Sequence, residues 1–200
     1  VKILKEGYYI RDASDSFYFA DCSCTLIITQ KEKIIVDPGG VYSLSQLQQA
    51  LEKCGLDFAS ITIVICTHGH SDHIGNISAF PHAKHIVSFD INIDEKYFDN
   101  LLRQGIPYVI EEGSIEVWPT PGHTSEDISV VVYNGILNNN NFNTIVVAGD
   151  LFENECDEEI WRLNSTSFET QFKNRERILE IANVIVPGHG KWFLNTRKSF

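Results

Sequence analysis

From position 68 the chain reads His68-Gly69-His70-Ser71-Asp72-His73, four side chains able to bind a metal within six residues. They follow directly on Ile61-Thr62-Ile63-Val64-Ile65-Cys66, a near-continuous apolar run. Such a run forms a strand buried on both faces, which needs a covering layer on each side. Loops at the C-terminal ends of buried strands are where α/β folds present ligands. A tight turn containing Gly69 can aim His68 and His70 at one point while Asp72 and His73 face an adjacent one. Imidazoles with a carboxylate suit zinc and other borderline divalent ions. The competing reading is a polar loop that happens to be His-rich. With seven histidines in 200 residues, three of them in six positions argues against it.

Later segments repeat the arrangement. His123 lies in Thr120-Pro121-Gly122-His123-Thr124, just after the strand-like Ile115–Trp118. Asp150 ends Ile145-Val146-Val147-Ala148-Gly149-Asp150, and His189 lies in Val186-Pro187-Gly188-His189-Gly190. Each is at the tail of an apolar strand beside Gly or Pro, so all three converge if their strands belong to one packed pair of sheets.

Strand patterns also fall at Ile3–Ile10, Phe17–Ala20, Thr25–Thr29, Lys33–Val36, Lys84–Ser88, Tyr108–Ile110, Ile128–Tyr133, Thr144–Ala148 and Val184–Val186. Leu44, Leu47, Ala50, Leu51 and Cys54 have helical spacing, with Gly55 where a C-cap belongs. A second helix is predicted over Phe168–Ala182, and the Asn-rich stretch Asn134–Asn143 reads as a hairpin loop. Strand-rich halves with interspersed helices predict an α/β fold, sheets covered by helices. At ~100–200 residues per domain, residues 1–200 are expected to form one domain.

The order His68-x-His70-x-Asp72-His73, His123, Asp150, His189, with gaps of 55, 27 and 39 residues, resembles the metallo-β-lactamase-fold hydrolase superfamily. That resemblance implies an αββα sandwich, two mixed β-sheets flanked by helices, with a metal centre at the sheet edges. Carried over by position, His68, His70 and His123 hold one metal, Asp72, His73 and His189 hold a second, and Asp150 bridges them. Asp37, in Val36-Asp37-Pro38-Gly39, matches the family aspartate that orients the motif loop. The cofactor expected is two divalent ions per chain, zinc first, with iron and manganese as alternatives. Paired ions lower the pKa of a shared water towards ~7 and polarise a P=O or C=O. Asp72, a ligand with a spare oxygen, is then the candidate catalytic residue that shuttles the proton.

Within the superfamily, Thr67–Asn76 and Thr120–Asp127 are similar to the metallo-β-lactamase-domain-containing protein 1 group, which has a nematode member. This implies a phosphodiesterase or endoribonuclease acting on RNA, of the type that processes histone pre-mRNA 3′ ends, and a homodimer. A glyoxalase II-like thioesterase shares every ligand, but it carries a sizeable helical domain after its last ligand, where 11 residues follow His189 here. An iron persulfide dioxygenase would use His68, His123 and Asp150 alone. The complete ligand set argues against a binding module without catalysis.

Charge bears on the substrate. The net charge of −11 disfavours nucleic-acid binding through overall basicity. It divides unevenly: residues 160–200 hold 7 Lys+Arg and 3 Asp+Glu, net +4, against −15 for the remainder. Lys173, Arg175 and Arg177 are either a substrate-facing patch or a solvated helix face. Lys191, Trp192 and Arg197, beside His189, are the candidate substrate contacts. Five cysteines without CxxC spacing are read as reduced thiols, and Asn76 and Asn164 as chance glycosylation triplets. No apolar run approaches the ~20 residues of a membrane span. A start at Val1 without any Met fits a processed chain or part of a longer one; the expected location is cytoplasmic or nuclear.

Overall fold

The computed structural model describes residues 1–14 and 16–198. Its first-half strands are β1 (Lys2–Lys5), β2 (Tyr8–Arg11), β3 (Tyr18–Asp21), β4 (Cys24–Ile28), β5 (Lys33–Val36), β6 (Ile63–Cys66), β7 (Lys84–Val87), β8 (Asp90–Ile93) and β9 (Lys96–Tyr97). The second half supplies β10 (Tyr108–Glu111), β11 (Ile115–Pro119), β12 (Ile128–Leu137), β13 (Asn140–Gly149), β14 (Val184–Pro187) and β15 (Phe193–Leu194). The helices are α1 (Leu44–Glu52), α2 (Ser71–Ile74), α3 (Ile160–Asn164) and α4 (Phe168–Ile181), with short 3-10 turns between.

Two mixed sheets form, ordered β1-β4-β5-β6-β7-β8-β9 and β10-β11-β12-β13-β14-β15. The pairs β5–β6, β6–β7 and β13–β14 are parallel. Side-chain alternation sets the layers. Ile34, Val36, Ile63 and Ile65 of the first sheet meet Val130, Val132, Ile145, Val147, Val184 and Val186 of the second in a shared core. The intervening Ile35, Val64 and Cys66 point the other way, onto Leu47 and Leu51 of α1. Val131, Val146 and Ile185 likewise pack on Ile178 of α4. Every central strand is thus apolar on both faces, which is why these segments read as continuous hydrophobic runs. The result is the expected αββα sandwich.

Helix α1 ends as anticipated: Gly55 has φ +71°, and Leu56 N–H donates to Leu51 O at 3.0 Å, closing a Schellman cap. Two expectations need correction. Asn134–Asn143 is strand apart from its centre, because β12 and β13 pair out to Leu137↔Asn140. Asn138 and Asn139 alone form the turn, with φ of +49° and +64°, the left-handed pair that a two-residue hairpin demands. Leu137 is fully buried, so the Asn-rich composition describes the exposed pleat rather than a loop. The single strand Ile3–Ile10 is two, β1 and β2, because β2 leaves the first sheet and pairs with β3 as a separate hairpin.

Candidate metal centre

All seven predicted ligands follow strands at one edge of the sandwich. Val36 hands over to Asp37, Cys66 to Thr67 and His68, Pro119 to the loop carrying His123, Gly149 to Asp150, and Pro187 to His189. The two sheets are stitched together here by Ile128 N–H donating to Thr67 O at 2.9 Å. Gly188 passes so close to Asp150 that a Cβ would collide with its carboxylate, so only glycine lets these strand ends meet.

Three imidazoles converge first. His68 Nε2 and His123 Nε2 lie 2.8 and 3.1 Å from His70 Nδ1, so His70 presents a different nitrogen from its neighbours. Asp150 Oδ2 stands 3.6 Å from His68 Nε2 and 3.3 Å from His123 Nε2. On its other side Asp150 Oδ1 is 3.2 Å from His73 Nε2, while Oδ2 is 3.3 Å from His189 Nε2. Asp72 Oδ2 completes the second group at 3.6 Å from His189 Nε2 and 3.9 Å from His73 Nε2. Donor atoms within each group, His68/His70/His123/Asp150 and Asp72/His73/His189, all lie within 4.8 Å of one another.

The donors fit one or two divalent ions. His73 Nε2 and Asp150 Oδ1 are buried yet have no hydrogen-bond partner, a costly state for groups aimed at each other. Burial holds His68 well below the ordinary histidine range and lowers His123 to about 4, leaving their lone pairs free to ligate. Burial disfavours charge on His73 and His189 too. There the Asp150 carboxylate outweighs it, raising His73 well above its usual value and His189 to about 9. Asp150 itself is held well below the carboxylate range: burial opposes its charge, but His73, His189 and His68 outweigh it. Divalent ions compete with the protons on these imidazoles.

Asp37 braces the motif. Its carboxylate accepts from Thr67 N–H at 2.7 Å, from the Thr67 hydroxyl at 2.9 Å and from His73 Nδ1 at 2.9 Å. With Nδ1 tied to Asp37, Nε2 is the nitrogen turned towards Asp150 and the one a metal ion would take once it displaces the proton there. The sequence reading missed Glu153. It is buried, 3.9 Å from His123 Nδ1, and its Oε1 accepts from Asn164 at 2.8 Å. Burial, reinforced by Asp150, raises it to about 7. A carboxylate three residues beyond a ligand at a strand end was the available signal, hidden in the acidic run from Glu153 to Glu159.

The ligands floor a cleft of about 510 Å³ that is also lined by Tyr9, Arg11, Tyr18 and Ala20 of the β2–β3 hairpin. Lys191, Trp192 and Arg197 do not line it. Trp192 packs against the inter-sheet core, and Arg197 is drawn to Glu176 at 2.9 Å. Two more cations of the basic segment are committed elsewhere, while Lys173 is exposed on α4: Arg175 is buried in a two-bond pair with Asp157, and Arg177 lies 4.2 Å over the Trp118 ring. Arg175 is therefore neither a substrate patch nor a solvated face. Asn76, buried and donating to Pro38 O and Gly40 O, is no glycosylation acceptor. Among the described residues the cysteines are all unpaired, and no helix is long and apolar enough to cross a membrane.

Comparison with known proteins agrees with this geometry. Residues 18–189 match the family described as the metallo-beta-lactamase superfamily. The chain is 44% identical over 194 residues to metallo-beta-lactamase domain-containing protein 1 of Xenopus laevis, covering 96% of this chain and 80% of that one. To the Homo sapiens protein of the same name it is 42% identical over 168 residues, 83% of this chain and 61% of that one. The chain thus spans less than two thirds of the human relative. In fold it resembles a Thermotoga maritima metallo-beta-lactamase structure, with TM-score 0.71, 19% identity and coverage of 96% and 97%. A Bacillus thuringiensis AiiA structure with N-decanoyl-L-homoserine at its active site gives TM-score 0.60, 17% identity and coverage of 90% and 89%.

Proposed function

The chain belongs to the metallo-beta-lactamase superfamily and is a metal-dependent hydrolase, and on that premise we propose that it uses two divalent ions, zinc first, to cleave phosphodiester bonds in RNA. The observation that carries the two-ion reading is the pair of donor groups that meet at Asp150. His68 Nε2, His70 Nδ1 and His123 Nε2 would hold one ion, and Asp72, His73 and His189 the other, with Asp150 between. When bound, such ions supply an activated water and draw charge from the scissile P=O.

The chain's own residues do the rest. Asp72 is the least buried of the donors flanking the second position, with 24% of its side chain exposed to the cleft. Its carboxylate is placed to take the proton from attacking water and return it to the leaving oxygen. Asp37 holds the His73 ring through Nδ1, so that Nε2 is the nitrogen turned to the metal position. The RNA assignment rests on the similarity of Thr67–Asn76 and Thr120–Asp127 to the endoribonuclease group; processing of histone pre-mRNA 3′ ends is the substrate that similarity favours.

Metal content after mild purification, measured together with turnover, tests the reading. The panel is single-stranded RNA, S-lactoylglutathione, and glutathione persulfide with oxygen uptake. Two ions per chain with RNA cleavage, lost in His123→Ala without change in circular dichroism, is expected. One iron per chain with oxygen consumption overturns it.

A further inference from the structure

We propose that the inward face of the β2–β3 hairpin is a stacking platform for an unpaired nucleobase beside the scissile bond, with Arg11 holding the adjoining phosphate. This rests on the phosphodiesterase reading and adds the form of the substrate: single-stranded, not duplex. The hairpin's register pairs Tyr9 with Ala20 and Arg11 with Tyr18. Cross-strand partners and residues two apart share a face, so Tyr9, Arg11, Tyr18 and Ala20 point the same way. Those four are the hairpin residues that line the cleft. Register alone therefore aims the aromatic and cationic groups at the metal centre.

The chemistry of that face is specific. Tyr9 and Tyr18 stack with ring centroids 4.8 Å apart at 28° and both line the cleft, and Tyr18 is still 57% exposed, so stacking on Tyr9 does not bury it. Tyr9 lies one ring away from a ligand, 6.4 Å between its centroid and that of His189. Arg11 Nη2 is 3.3 Å from Tyr9 Oη, which sets the guanidinium against the same ring pair. The floor below presents Asp72, Asp150 and Glu153, and Arg11 is the one Lys or Arg among the described residues lining the cleft. A planar guanidinium matches a phosphate in two-point contact. Bases within a duplex have no free face to offer, whereas single-stranded bases stack on aromatic side chains whatever their sequence.

Steady-state cleavage of a short single-stranded RNA by the metal-loaded enzyme tests this, compared with the same RNA made abasic beside the cut and with its duplex. Tyr18→Ala is expected to raise KM about tenfold, within the range of one base–aromatic stack, and to change kcat less than about twofold. Tyr18→Phe is expected to restore KM. Wild type should lose the same factor on the abasic RNA, and Tyr18→Ala should lose nothing further, because both remove one interaction. Arg11→Ala should raise KM on both RNAs alike. Equal cleavage of duplex and single strand, or penalties from Tyr18→Ala and the abasic site that multiply, would overturn the platform while leaving the phosphodiesterase intact. Wild type that turns over S-lactoylglutathione and no RNA overturns both. The abasic arm requires no variant, so misfolding of Tyr18→Ala does not shield the proposal.

Discussion

The floor of the cleft hangs from the strand ends of two packed sheets, while its roof is a two-stranded hairpin that pairs with neither. Floor residues such as His68, His73 and Asp150 are buried and held by neighbours on several elements. Roof residues Tyr18 and Phe19 are 57% and 56% exposed. An isolated hairpin is marginal by itself, so its hold on the body comes from its roots: Asp21 accepts from Gly40 N–H and pairs with Lys5. The contrast separates two tasks. The floor must hold charge at fixed distances, which only a rigid and desolvated frame does, whereas the roof meets a substrate and tolerates exposure.

Asp150→Ala strikes hardest at the floor, because both donor groups share that carboxylate. It is expected to cut kcat/KM by about a thousandfold and to reduce bound metal, with circular dichroism unchanged. Metal analysis beside kinetics checks this, and retained activity would break the contrast. Asp37→Asn leaves every ligand in place but loosens Thr67 and His73. Metal affinity should fall about 10- to 100-fold in a chelator competition. Arg175→Met leaves Asp157 buried without its partner, although Asp157 still accepts from Glu153 N–H at 2.8 Å. Loss of about 3–5 kcal/mol in urea unfolding is expected. Phe19→Ser, on the outer face of the roof, should change stability by no more than about 0.5 kcal/mol and leave KM for RNA as it is. A large effect there would mean that the roof is as constrained as the floor.

Legibility in the sequence followed the same division. The side chains that converge at the candidate metal centre were readable because each sits within a few residues of an apolar strand end, in a segment that holds Gly or Pro. The basic segment is not a patch, because charge summed along the chain ignores which side chains are buried in pairs. Gln171, Arg175 and Ile178 share the buried face of α4 at helical spacing, a pattern that places Arg175 inside. What it pairs with, Asp157, lies 18 residues away and follows no periodicity. The β2–β3 hairpin was not legible, since Ile3–Ile10 reads as one strand, and nothing local said that Tyr9 and Tyr18 would face the metal centre.

The sequence by itself determined the apolar central strands and which side chains could ligate, because hydrophobic patterning and ligand identity are local properties. Tertiary structure alone decided which charges are spent on one another, that Glu153 stands behind His123, and which hairpin face looks into the cleft. Those depend on contacts between residues far apart in the chain, where desolvation and register, not composition, set the outcome.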